Sequence, residues 1–152
     1  MKYSGTLIAV DNMEVSKKFY AEVLKQNIIF DIGAHVAFEG NFSLQENYAD
    51  LVGFNKDDAV KCSKNFELYF EEEDLDGFVK HLKNYSEIKY LHDVKAYEWG
   101  QRVIRFYDPN LHIIEVAESM VAVIKRFLNQ GLSVDEVASR TMYPVEFVKN
   151  CL

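Results

Sequence analysis

One order of elements occurs twice in this chain, and it restricts the fold more than any other feature. Residues 4–46 open with a β-prone run, Gly5 to Val10. Asp11 then stands where it can cap a helix, with Glu14 placed to close a capping box. Val15, Phe19 and Val23 recur every four residues, with Tyr20 and Leu24 alongside and Lys17, Lys18 and Glu22 on the wet face. This spacing predicts an amphipathic helix. Three β-prone runs follow, Asn27 to Asp31, Ala34 to Phe38 and Asn41 to Gln45, separated by turns at Gly33 and Gly40.

Residues 46–64 show little periodicity and read as a connecting loop with a helical turn. The order then restarts over residues 65–117. Phe66, Leu68 and Phe70 alternate with Glu67, Tyr69 and Glu71 as an amphipathic strand. Leu75, Phe78, Val79 and Leu82 have helical spacing behind an acidic cap region, Glu71 to Asp74, whose charges suit a helix N-terminus. β-Prone runs at Ile88 to Tyr97, Gln101 to Tyr107 and His112 to Val116 complete the half, the last two joined by the turn Asp108-Pro109-Asn110. Neither half has enough core to stand alone. The expected fold is α+β, two βαβββ modules forming a curved mixed sheet around a cavity, with helices outside.

That assigns residues 1–117 to one domain and leaves residues 118–152 as a C-terminal helical tail. Met120, Ile124 and Phe127 form one stripe, Gln130-Gly131 reads as a stop, Ser133 with Glu136 as a capping box, and Pro144 as a first helical position. The tail fits a lid, a dimer contact or a small helix-turn-helix-like appendage. It carries four Lys plus Arg against four acids, so no basic patch supports DNA binding. The whole chain of 152 residues has a formal charge of −7, which repels phosphate backbones and attracts cations. Its apolar runs, such as Met120 to Ile124, fall far short of the roughly 20 residues of a membrane span. No apolar segment near Met1 is long enough for a signal peptide, and Cys62 and Cys151 form no C-x-x-C pair. Nucleic acid and membrane are therefore not expected partners, and the expected location is cytoplasmic.

Several separated strings carry a family resemblance. Val10-Asp11, Ser16-Lys17-Lys18-Phe19-Tyr20, Val23-Leu24, Trp99-Gly100-Gln101-Arg102 and Phe106-Tyr107-Asp108-Pro109-Asn110-Leu111-His112-Ile113-Ile114-Glu115 occur in the order seen in the glyoxalase/bleomycin-resistance/extradiol-dioxygenase family, the vicinal oxygen chelate superfamily. The chain resembles that family over residues 4–117. The resemblance implies a metal cup with ligands on the first and fourth strands of the first half and the matching strands of the second. The corresponding positions here are Gly5, which has no side chain, Gln45 or Ser43, Glu67 and Glu115. Two carboxylates and one amide suit Mg²⁺, Ca²⁺ or Mn²⁺ better than Zn²⁺ or Fe²⁺, and without two His and a carboxylate the dioxygenase chemistry is not expected.

The expected function is a metal-free small-molecule-binding protein, a cytoplasmic homodimer with no cofactor, whose ligand meets Tyr69, Trp99, Arg102 and Glu67. The alternative is a metal-dependent lyase or isomerase of the glyoxalase I type. It would use Mn, Ni, Mg or Zn on Glu67, Glu115 and Gln45, with Glu115 catalytic. A ligand-responsive regulator is the third reading. Glu115 stands in an apolar strand, so it either binds something or pairs with an interior arginine, Arg102 or Arg105. The histidines His35, His81, His92 and His112 show no metal-ligand spacing and are assigned surface or structural roles. Leu111 and Lys25 stand where the family usually has glycine.

Overall fold

The computed structural model describes residues 1–152 as two compact units, one of residues 1–66 with 107–112 and one of residues 67–106 with 113–152. In the first unit, β1 (Thr6–Val10) leads through α1 (Met13–Lys18) and a π-helical turn (Phe19–Val23) to β2 (Ile28–Asp31), β3 (His35–Phe38) and β4 (Phe42–Glu46). The sheet order is β1-β4-β3-β2, with β1 parallel to β4 from Thr6 opposite Phe42 to Val10 opposite Glu46. The remaining pairs are antiparallel. Only β1 and β4 need a long crossover, and α1 with the β2–β3 hairpin supplies it. Ile8, Val36, Phe38 and Leu44 are buried around Tyr20, whose ring meets Phe38 and Phe42 at 5.8 and 5.6 Å.

The helix cap is Asn12, whose side chain accepts the Val15 N–H at 3.0 Å, and not Asp11. Asp11 is engaged elsewhere: its backbone N–H donates to Asn110 Oδ1 at 2.9 Å and its carboxylate pairs with Lys61. Residues 46–64 hold a short helix, α2 (Tyr48–Val52), and a 3₁₀ turn (Lys56–Asp58), neither with a buried residue. That is why they leave no apolar period in the sequence.

Lys25 is exposed at φ 55, a left-handed conformation that costs an L-residue roughly 1–2 kcal/mol. Lys25→Gly is therefore expected to stabilise the protein by about 1 kcal/mol in urea denaturation. An unchanged or lower midpoint would count against strain at this turn.

The second unit repeats the plan with β5 (Glu67–Glu72), α3 (Leu75–Leu82), β6 (Tyr90–Ala96), β7 (Arg102–Tyr107) and β8 (Ile113–Glu118), in the order β5-β8-β7-β6. β5 and β8 are parallel, with Tyr69 opposite Glu115. Leu75, Phe78 and Leu82 of α3 are buried, and the Phe78 ring lies 6.4 Å from Phe106. Alternation along β7 therefore turns Phe106 toward the helix and Arg105 to the opposite face. Asp74 caps α3 by accepting the Gly77 N–H at 2.9 Å, while the strand before it extends through Glu72.

The tail forms α4 (Met120–Asn129), α5 (Val134–Thr141) and α6 (Val145–Lys149), packed through Val123, Ile124, Phe127, Val137 and Val148. The Ser133–Glu136 capping box is present, and Pro144 is the residue just before α6. Gly100 sits at φ 91 beneath Phe127, where a Cβ would come within 2.2 Å of the ring. Only glycine lets that turn pass under α4.

Candidate functional site

In the second unit, Glu67, Tyr69, Arg105 and Glu115 share the sheet face opposite α3. Arg105 is their centre. Its Nε donates to Glu67 Oε2 at 2.8 Å, its Nη2 to Glu67 Oε1 at 3.4 Å, and its Nη1 to the Tyr97 hydroxyl at 2.6 Å, with His92 Nε2 at 3.3 Å. Glu115 Oε2 is ion-paired with Arg105 Nη2. That oxygen is fully buried and accepts no directed hydrogen bond, so the guanidinium balances its charge without satisfying its lone pairs. The question left open by the sequence, Arg102 or Arg105, is decided for Arg105.

These contacts set the protonation. Burial, and then the hydrogen bond shared with the Glu67 carboxyl, push Glu115 up to about 7. The Arg105 hydrogen bond holds Glu67 below the ordinary carboxylate range against its partial burial. At pH 7 Glu115 is therefore about half protonated while Glu67 stays ionised, so the pair carries about half a proton. Burial and the 2.7 Å hydrogen bond it donates to Glu71 raise Tyr69 to about 12, so it stays a hydroxyl.

Trp99 borders this cluster. Its indole N–H donates to Gln101 Oε1 at 3.1 Å, Gln101 Nε2 donates to the Tyr69 hydroxyl at 3.3 Å, and its ring stacks on Tyr97 at 4.6 Å. Glu67, Tyr69, Trp99 and Glu115 are thus brought together. Arg102 is not: it is held by Glu118 at 3.1 Å and Asp76 at 3.0 Å. Strand parity decides this, because Arg102 is an odd number of residues from Arg105. Gln45 belongs to the first unit, where its Oε1 lies 3.0 Å from His35 Nδ1 and its Nε2 donates to the Glu46 carbonyl. Sequence reasoning missed Tyr97, His92 and Gln101. The available signal was the pair of aromatics, Tyr97 and Trp99, just before Gly100.

A family model for the glyoxalase-like domain matches residues 3–121. The chain belongs to this family. A glyoxalase-like domain with this pattern has similar solved structures, among them a protein of unknown function from Agrobacterium tumefaciens str. C58. It is 32% identical at TM-score 0.68, over 78% of this chain and 94% of that one. A glyoxalase-related enzyme from Fulvimarina pelagi is 19% identical at TM-score 0.63, over 80% and 91%. The fosfomycin resistance protein FosX from Mesorhizobium loti is 14% identical at TM-score 0.56, over 78% and 92%. No curated protein sequence matches the chain.

The metal cup that the superfamily implies does not fit the residues of this glyoxalase-like domain. Gly5 lies just before β1 at φ 151, and a Cβ there would come within 2.4 Å of the Asn41 carbonyl oxygen, so the backbone leaves no room for a ligand side chain. Glu67 and Glu115 are both already paired with the Arg105 guanidinium. No three His, Cys, Asp or Glu side chains converge as a metal site requires.

Proposed function

We propose that this domain binds a small, planar, basic molecule on the Glu67–Tyr69–Tyr97–Trp99–Glu115 face without a resident metal. The observation that carries the reading is the buried, incompletely satisfied Glu115 oxygen beside an aromatic stack. A ligand ammonium or amidinium would complete its hydrogen bonding, and the aromatic faces would accept the cation and its ring. The formal charge of −7 favours its approach. Membership of the glyoxalase-like family, with a glyoxalase/bleomycin resistance protein/dioxygenase and fosfomycin resistance proteins among the structural neighbours, makes ligand sequestration a coherent role.

Trp99 is the one tryptophan, so its fluorescence reports on the site. Benzylamine, as a probe, is expected to change that fluorescence saturably. Its affinity should rise with pH through about 7 as Glu115 loses its proton, and fall at least tenfold in Glu115→Gln. Calorimetric titration with Mn²⁺, Ni²⁺, Zn²⁺ and Mg²⁺ is the opposing arm. Stoichiometric metal binding abolished by Glu67→Gln with Glu115→Gln would overturn the metal-free reading in favour of a glyoxalase-type lyase or isomerase, for which Glu115 titrating near neutrality would suit proton transfer. We also place the protein in the cytoplasm as a homodimer, for which the exposed Ile28, Ile29, Phe30 and Ile32 at edge strand β2 offer an apolar contact. Sedimentation velocity checks the oligomer.

A further inference from the structure

The first unit contains a cavity of about 170 Å³ that no part of the preceding function uses. At close packing it has room for about ten non-hydrogen atoms. His112 lines it. Asp108 is 3% exposed and its carboxylate accepts from His112 Nδ1 at 2.9 Å, from the Tyr20 hydroxyl at 3.0 Å, and from the backbone N–H groups of Asn110 and His112 at 2.9 and 2.8 Å. A carboxylate so fully engaged takes its hydrogen bond from the Nδ1 proton of the ring, which in the neutral imidazole leaves Nε2 as an acceptor. His112 makes no further hydrogen bond within the chain.

Two other sides of the cavity have definite chemistry. Tyr48 and Phe54 meet edge to face at 5.7 Å and give an aromatic wall. Lys61 is neutralised by Asp11, whereas Lys56 lines the cavity with no ion pair, as does the Asp50 carboxylate. An oriented acceptor, an aromatic wall and the Lys56 ammonium are the groups an aromatic hydroxy acid would use.

We propose that this cavity is a second small-molecule site, for an aromatic hydroxy-carboxylic acid. The hydroxyl donates to His112 Nε2, the ring packs on Tyr48 and Phe54, and the carboxylate pairs with Lys56. The inference is independent of the benzylamine site, which lies in the other unit and takes the opposite charge.

The test uses the full chain with 4-hydroxybenzoate as probe, following the His112 Cε1–Hε1 resonance by NMR and the affinity by calorimetry. Saturable binding that moves the His112 resonance is expected, weakened at least tenfold by His112→Phe and by Lys56→Gln. Benzoate, which lacks the hydroxyl, should bind at least several-fold more weakly. Lys56 is exposed, so its variant keeps the test valid if His112→Phe fails to fold. Absence of saturable binding up to about 10 mM, a fragment-scale limit, would overturn the proposal. So would a probe that alters Trp99 fluorescence while leaving the His112 resonance unmoved, or benzoate binding as tightly as 4-hydroxybenzoate.

Discussion

Glu118→Ala is expected to destabilise the protein by about 3–5 kcal/mol, lowering the melting temperature by on the order of 10 °C. The Glu118 side chain is 4% exposed and accepts from two arginines. Arg102 donates from Nε at 3.2 Å and Nη2 at 3.1 Å, and Arg126 from Nε at 3.1 Å and Nη2 at 2.9 Å. Burial alone would raise this carboxyl, and the bonds from Arg126 and Arg102 outweigh it and hold it below the ordinary range. Truncation removes the acceptor of both guanidinium groups at once. Arg102 retains Asp76 and Arg126 retains the Gly100 carbonyl, so the loss stays within that range. The network ties β7, β8 and α3 to α4, so thermal unfolding should lose cooperativity as the tail loosens. A shift under about 1 kcal/mol would show that solvent satisfies these groups instead.

The second large effect is a pH dependence. In the unfolded chain Glu115 has its ordinary value of 4.5, and in the folded protein it lies near 7. Between those values the folded state keeps a proton that the unfolded state has lost. Ionising Glu115 therefore opposes folding, and its contribution falls as pH rises from about 4.5 to about 7, by about 3 kcal/mol in total. Glu67, held low by Arg105, works in the opposite sense: it contributes stability above its ordinary range that is lost as pH falls. Arg105 holds Glu67 in wild type and in Glu115→Gln alike, so this contribution largely cancels in their difference. The stability of Glu115→Gln relative to wild type should therefore grow with pH across that window and level off above it. Urea denaturation at several pH values checks this. A flat difference would mean that Arg105 keeps Glu115 ionised throughout.

Much of the fold was legible because the physics that selects it is local. β-Prone runs bounded by turns, with one alternating strand and apolar stripes at helical spacing, placed every strand and the helices α1, α3 and α4 within a few residues. The Ser133 capping box was equally plain, since both partners lie within one turn. Errors arose where a distant partner intervened. Asp11 and Asn12 have similar capping chemistry, and in the fold Asn12 caps the helix while Asp11 pairs with Lys61, fifty residues away. Arg102 and Arg105 are alike as residues; parity puts them on opposite faces of β7, and only the face that α3 covers, known from the fold, sends Arg102 to Glu118 and Arg105 to Glu115.

The sequence by itself determined the repeated βαβββ order, the family and the isolation of Glu115 in an apolar strand, because each is written in residue type and spacing. Tertiary structure decided that one guanidinium pairs with both Glu67 and Glu115, that no ligand side chain fits at position 5, and that His112 is oriented by a buried Asp108. Charge pairing and backbone clearance depend on atoms far apart in the chain, and only packing sets those distances.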